Sequence, residues 1–171
     1  MSETAYIPAS GLTGKVQRLS ARLIARAPLR IRLDAPLVTF TFDDFPKSAA
    51  TTGAALLEAR GWRGTYFAAG GFCRQDTHHG AMFDQKDLER LYAAGHEIAC
   101  HTHSHLDACS SRESRFLDDV ERNAAFFAEA GLNDVRTFAF PYGEATPGLK
   151  RALSRRFSAL RGVRPGINRG T

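Results

Sequence analysis

The sequence predicts an α/β domain built on a parallel sheet, open or closed into a barrel, and three observations lead there. Short β-rich runs alternate with longer helical patterns from Leu37 onward. Gly61, Gly95 and Gly131 each stand where a helical pattern ends. The polar residues suited to chemistry follow directly after strands. Alternating β and α at this spacing implies right-handed crossovers and strands that run the same way.

The elements follow in order. Residues 37–42 (LVTFTF) are β-branched and aromatic, which suits a pleated strand. Residues 49–60 read as a helix closed by Gly61, and 65–69 (TYFAA) as a strand opening on Gly70 and Gly71. Residues 84–94 form the next helix, closed by Gly95, and 97–100 (EIAC) the third strand. A long helix is expected over 111–130, with Ser111 as N-cap and Gly131 just past the end. Then come a strand at 136–140, a helix at 146–156 and a last strand at 157–160. Five strands leave a barrel one or two short, with an unpaired edge near 157–160, so the chain reads as incomplete at its C-terminus or as part of a longer one.

With 171 residues, 43% of them hydrophobic and 24% charged, the chain has material for one core rather than two. No apolar run approaches the roughly 20 residues of a spanning helix, and the N-terminus lacks the apolar stretch of a secretory signal. The expectation is a cytoplasmic protein, with a peripheral position at the inner membrane as its variant. Cys73, Cys100 and Cys109 show no C-x-x-C spacing and are expected as free thiols.

The net charge of +5 is concentrated at the ends. Lys15, Arg18, Arg22, Arg26, Arg30 and Arg32 occur with no acidic residue from Thr4 to Leu33, and a second acid-free stretch runs over 150–169. Residues 1–35 are therefore set apart as a basic N-terminal extension from a main domain over 36–171. Within the extension, Val16, Leu19, Leu23 and Ile24 recur at helical spacing beside basic residues four apart, giving an amphipathic helix over 15–26 that ends near Pro28. Two readings fit it: a helix docked on the body with a solvated basic face, or peripheral contact of residues 15–32 with an anionic membrane. The basic ends alone, without a recognisable binding motif, do not support a nucleic-acid partner. Oligomeric state is not legible.

The chemistry clusters at strand ends, where α/β folds carry their sites. Asp43 and Asp44 follow the first strand, His101 and His105 the third, Pro141 and Tyr142 the fourth. Two histidines at i, i+4 present two nitrogens to one ion if the segment turns helically. Adjacent carboxylates repel unless a cation lies nearby, and a two-His, one-carboxylate set leaves open positions for water. His103, between the pair, is expected to point away. His78 and His79, in a Gly-rich loop, are candidates to line a cleft.

The segments Thr41-Phe42-Asp43-Asp44, Gly95 through His105, and Phe138-Ala139-Phe140-Pro141-Tyr142-Gly143, in that order and with the strand Gly64-Thr65-Tyr66-Phe67, resemble the first three motifs of the NodB-homology polysaccharide deacetylases, carbohydrate esterase family 4. The resemblance spans about residues 36–160. It implies a distorted (β/α) barrel with fewer strands than the regular eight, and hydrolysis of acetamides on N-acetylated polysaccharide or oligosaccharide. By the same resemblance Asp43 would be the general base, while Asp44, His101 and His105 would bind a divalent metal, zinc (Zn2+) or a similar ion. The backbone N–H of Tyr142 would help hold the oxyanion, with Pro141 fixing the backbone before it.

Two departures stand out. The family's third motif often begins with an arginine that pairs with the base, where this chain has Ala139. The F-A-x-P-Y-G version resembles the branch acting on poly-N-acetylglucosamine exopolysaccharide, so that polymer or its lipid-linked precursor is the expected substrate. The family's closing Leu-x-His, whose histidine serves as general acid, has no counterpart here. Rival readings are an amidase acting on another amide or lipid-linked sugar, and a catalytically silent sugar-binding or scaffold protein.

Overall fold

A computed structural model describes residues 7–8, 11–25 and 37–162. Arg26, Arg30, Arg32, the helix stop at Pro28, the boundary at 35/36 and the basic stretch beyond 162 lie outside the described residues.

Helix α1 (Gly11–Leu23) comes first. Strand β1 (Phe40–Asp43) leads to a π-helical segment, Ala49–Gly53, that runs into α2 (Ala54–Glu58). A plain helix over 49–60 was the sequence expectation. The wider turn leaves carbonyls to outside donors: Ala50 O accepts from Arg90 Nη2, and Ala49 O accepts from the Tyr66 hydroxyl at 3.4 Å. After β2 (Gly64–Ala68), a 3-10 turn over Gly70–Phe72 precedes a hairpin, β3 (Asp76–Thr77) and β4 (Gly80–Ala81), which the sequence had suggested only as a loop.

Helix α3 (Gln85–Ala93) begins with a capping box. The Asp84 side chain accepts from Asp87 N, and the Asp87 side chain accepts from Asp84 N. Lys47 Nζ joins both carboxylates, at 2.8 and 3.0 Å. Strand β5 (Glu97–Cys100) and helix α4 (Glu113–Glu129) follow. Arg112, extended and without a side-chain cap bond, occupies the N-cap position expected for Ser111. Last come β6 (Thr137–Ala139), a 3-10 turn over Pro141–Gly143, α5 (Pro147–Leu153) capped by Thr146, and β7 (Ala159–Arg161).

The main sheet is parallel, in the order β1-β2-β5-β6-β7. That order never reverses, unlike the order of a doubly wound sheet. Right-handed crossovers that all step the same way put every connecting helix on one face, which is barrel topology. On that face Tyr66, Ile98 and Phe138 are buried with Leu88, Phe116, Val120 and Leu149 in the main core. Alternate residues point to the other face, where Phe67, Ala99 and Ala139 make a smaller buried cluster.

The sheet is strongly curled. Laid flat, its first and last strands would lie about 19 Å apart at the usual spacing of about 4.8 Å per strand, too far for one side chain to bridge. Yet Arg161, on β7, pairs with Asp43, on β1, its guanidinium passing 4.7 Å from the centre of the Phe67 ring. The open faces of β1 and β7 are thus bent toward each other, as in a half-closed barrel.

Candidate active site

Strand ends bring the candidates together. Asp44 leaves β1 with φ 55°, and its N–H donates to Phe67 O at 3.1 Å, which turns its side chain over the carboxyl end of the sheet. His101 leaves β5 with its N–H bonded to Ala68 O, at 3.2 Å. The segment to His105 is a loop rather than the helical turn considered from sequence. Left-handed backbone at Thr102 (φ 59°) and His105 (φ 53°) folds it back so that both imidazoles face Asp44.

His101 Nε2 lies 3.6 Å from Asp44 Oδ1, and His105 Nε2 lies 3.4 Å from Asp44 Oδ2. One donor atom from each of the three residues falls within 4.8 Å of the others. These separations are long for hydrogen bonds. They fit an ion shared at the usual 2.0–2.1 Å, for which tetrahedral ligand atoms stand about 3.3 Å apart.

Protonation agrees. His101 Nδ1 stands 2.7 Å from Ala139 O, a carbonyl that only accepts, so Nδ1 carries the proton and Nε2 keeps its lone pair toward Asp44. Burial, chiefly, pushes both imidazoles below the usual histidine range; His105 falls to about 3, with His101 the next cause. Neutral imidazole is the form that binds a metal.

Asp43 is not one of the three. Both its carboxylate oxygens accept from Arg161 Nη2, which leaves the carboxylate oriented beside the cluster. Tyr142 has φ 58° between Pro141 and Gly143, and its ring packs against His105 with centroids 4.5 Å apart. Of the six non-glycine residues with positive φ among the described residues, Asp44, Thr102, His105 and Tyr142 belong to this site. Such backbone costs about 1 to 3 kcal/mol each and gathers where a fold holds side chains in place for chemistry.

Residues that the sequence reading did not single out hold the site. Asp119 of α4 accepts from His103 N (2.9 Å), Ser104 N (2.8 Å) and Ser104 Oγ (2.8 Å), fastening the middle of the histidine loop. One helical turn on, Asn123 accepts from Gly70 N and donates to Ala68 O. Gly71 N donates to His103 O, and a Cβ on Gly71 would meet that oxygen at 2.7 Å. The spacing of Asp119 and Asn123 on one helix face was the available signal. Arg161 gave none, since nothing in the sequence shows which arginine reaches across a curled sheet.

His103 lies outside the cluster, its ring edge-on to Phe126. His78 and His79 stand on the β3–β4 hairpin with rings 3.7 Å apart. The cysteines are free, and burial raises the thiols of Cys100 and Cys109 to about 11.

The family model for polysaccharide deacetylase matches residues 30–156, well over half of the chain. The chain belongs to the polysaccharide deacetylase family. A curated relative, the bifunctional xylanase/deacetylase of Pseudobutyrivibrio xylanivorans, is 26% identical over 106 residues, which cover 62% of this chain and 16% of that protein. Among solved structures, IcaB from Ammonifex degensii superposes with a TM-score of 0.74 at 26% identity, over 81% of this chain and 65% of that one. A family 4 carbohydrate esterase from Streptomyces lividans, in complex with acetate, shares the fold with a TM-score of 0.60 at 23% identity, over 71% and 60% of the two chains. The chain therefore spans less than two thirds of each of these relatives, and its half-closed parallel sheet is the family's distorted barrel.

Proposed function

We propose that the chain hydrolyses acetamide groups on an N-acetylglucosamine-containing polysaccharide or its lipid-linked precursor, releasing acetate, with a divalent ion, zinc by its donor set, held by Asp44, His101 and His105. The observation that carries this reading is the convergence of one carboxylate and two neutral imidazoles beside a second carboxylate, Asp43, tied to a different partner.

Asp44, His101 and His105 would hold a divalent ion, whose Lewis acidity would polarise the acetamide carbonyl and acidify water. Asp43 takes the proton of the attacking water as general base. Arg161 keeps that carboxylate turned to the substrate face, and Phe67 under the guanidinium keeps the arginine in place. Tyr142 offers its backbone N–H to the oxygen that gains charge, an interaction of a kind worth about 3 to 4 kcal/mol in other acyl-transfer enzymes. Pro141 and Gly143 fix the turn that aims it. The carbon–nitrogen bond then breaks as the nitrogen takes up the proton that Asp43 removed from water, so the sugar keeps a free amine while the water oxygen leaves in acetate. The substrate class rests on the F-A-x-P-Y-G form of the third motif and on the likeness to IcaB.

The test is acetate release from N-acetylglucosamine oligomers by the wild type and Asp43→Ala, with zinc content measured for both. The expected result is turnover in the wild type, and a loss of about 10² to 10⁴ in the variant, which keeps its zinc. A zinc-loaded wild type that yields no acetate, or yields formate or ammonia from other amides instead, overturns the assignment.

A further inference from the structure

Helix α1 is attached to the body by its polar side. Gly14 is buried, and Gln17, Arg18 and Ala21 are half-buried against the domain. Arg18 pairs with Glu144 at 3.6 Å, and Lys150 Nζ donates to Ala21 O (3.1 Å) and Ile24 O (3.3 Å), capping the carbonyl end. The opposite side is apolar and open. Leu12, Val16, Leu19 and Leu23 are 79%, 56%, 53% and 58% exposed. At about 100° per residue these four fall within about 40° of one line along the helix.

The docked-helix expectation had the faces the other way round, with the aliphatic residues against the body. Lys15 and Arg22, both exposed, run along one flank of the stripe, and the sequence from Thr4 to Leu33 contains no acid. An aliphatic stripe with a basic flank is the chemistry of a helix lying in a lipid interface. A second copy of the chain fits it poorly. Antiparallel pairing stripe to stripe sets Lys15 and Arg22 of each copy against like charge, and in either direction the face of one short helix falls short of the roughly 1,000 Å² that a stable interface buries.

We propose that α1 docks this protein on an anionic lipid surface, with Leu12, Val16, Leu19 and Leu23 entering the interface and Lys15 and Arg22 meeting the headgroups. The link from Arg18 to Glu144, two residues past Tyr142, places the attachment beside the rim of the candidate active site. The inference goes beyond the reaction and does not depend on it. No helix among the described residues is long and apolar enough to cross a membrane, which agrees with a helix lying along one.

The test is co-sedimentation of the full chain with vesicles of phosphatidylcholine alone and of phosphatidylcholine with phosphatidylglycerol. Binding is expected to the anionic vesicles only, falling as salt rises. Lys15→Glu/Arg22→Glu and Leu19→Ser/Leu23→Ser should each weaken it about tenfold or more. The salt titration of the unaltered chain serves if a variant fails to fold. The proposal is overturned by no pelleting with anionic vesicles at low salt, by equal binding to neutral ones, or by variants that bind as the wild type does. Self-association abolished by Leu19→Ser/Leu23→Ser without lipid would assign the stripe to a second copy.

Discussion

Arg161 and Asp43 stand on the two outermost strands of the sheet and nevertheless form an ion pair, both carboxylate oxygens accepting from one guanidinium nitrogen. Ala139, where relatives of the resembled family often carry the arginine that holds the base, is the neighbour of Arg161 in the β6–β7 register. The cation thus comes from the adjacent strand, on the same face of the sheet. Arg161→Ala should lower kcat about 10- to 100-fold with zinc content unchanged, because it frees the carboxylate to rotate rather than removing it. Arg161→Lys should fall between, since an ammonium lacks the planar fork. Carrying the arginine back, as Ala139→Arg with Arg161→Ala, should recover part of the loss. Steady-state acetate release with parallel metal analysis reads all three, and an Arg161→Ala variant with undiminished kcat would remove Arg161 from the site.

Buried His101 and half-buried His105 make the metal-free protein sensitive to acid. His105 titrates at about 3 in the folded chain, against about 6.5 when unfolded. Between those values the unfolded chain binds a proton that the folded chain refuses, so stability is lost as pH falls below about 6.5, and His101 acts in the same direction. Melting temperature of the metal-free protein should be level above neutrality and drop toward pH 4. His105→Asn should flatten that drop. Zinc at about 100 times its dissociation constant should stabilise the wild type by about 2.7 kcal/mol, and His105→Asn should cancel most of the gain. A wild-type melting temperature indifferent to zinc would count against the ion site.

The fold was readable where periodicity and turn residues agree. The five strands appear within about three residues of the expected positions, and Gly61, Gly95 and Gly131 have the positive φ expected after a helix. Candidate ligands were readable because Asp44 and His101 stand next to strand ends, whose location follows from local pattern. The curl of the sheet was not, since it arises from packing between strands distant in sequence, and Arg161 went unnoticed with it. Left-handed backbone at Asp44, His105 and Tyr142 was equally hidden, because none is a glycine or asparagine. The orientation of α1 was left open for a related reason: amphipathicity shows that a helix has two faces, and only Arg18–Glu144 and the Lys150 cap show which one meets the body.

Asp119 tests whether the histidine loop is held from outside. Its carboxylate satisfies two backbone N–H groups and a hydroxyl while 8% exposed. Asp119→Ala leaves those donors without their acceptor and should cost about 1 to 3 kcal/mol of stability. It should also weaken zinc binding about 10- to 100-fold without touching a ligand. Denaturant melts and zinc titration measure the two effects. Loss of stability with unaltered zinc affinity would show that the loop keeps its shape without this bond.

Gly71 carries the other half of the same argument, for steric rather than polar reasons. Its N–H donates to His103 O at 2.8 Å, and a methyl group there would stand 2.7 Å from that oxygen, closer than a real Cβ comes to any such atom. The oxygen belongs to backbone, so it moves only if the His101–His105 loop moves. The Gly71 backbone does not require positive φ, so strain from the new side chain's conformation is not the issue. Gly71→Ala should therefore act mainly through displacement of the loop: zinc affinity falls, and a crystal structure of the variant shows His103 O shifted outward. The variant should fold, because neither Gly71 nor His103 takes part in the β2–β5 pairing or belongs to the main core. Wild-type zinc affinity with an unmoved loop would mean that the turn after β2 yields instead, and the close approach of Gly71 would then have no part in setting the ligands.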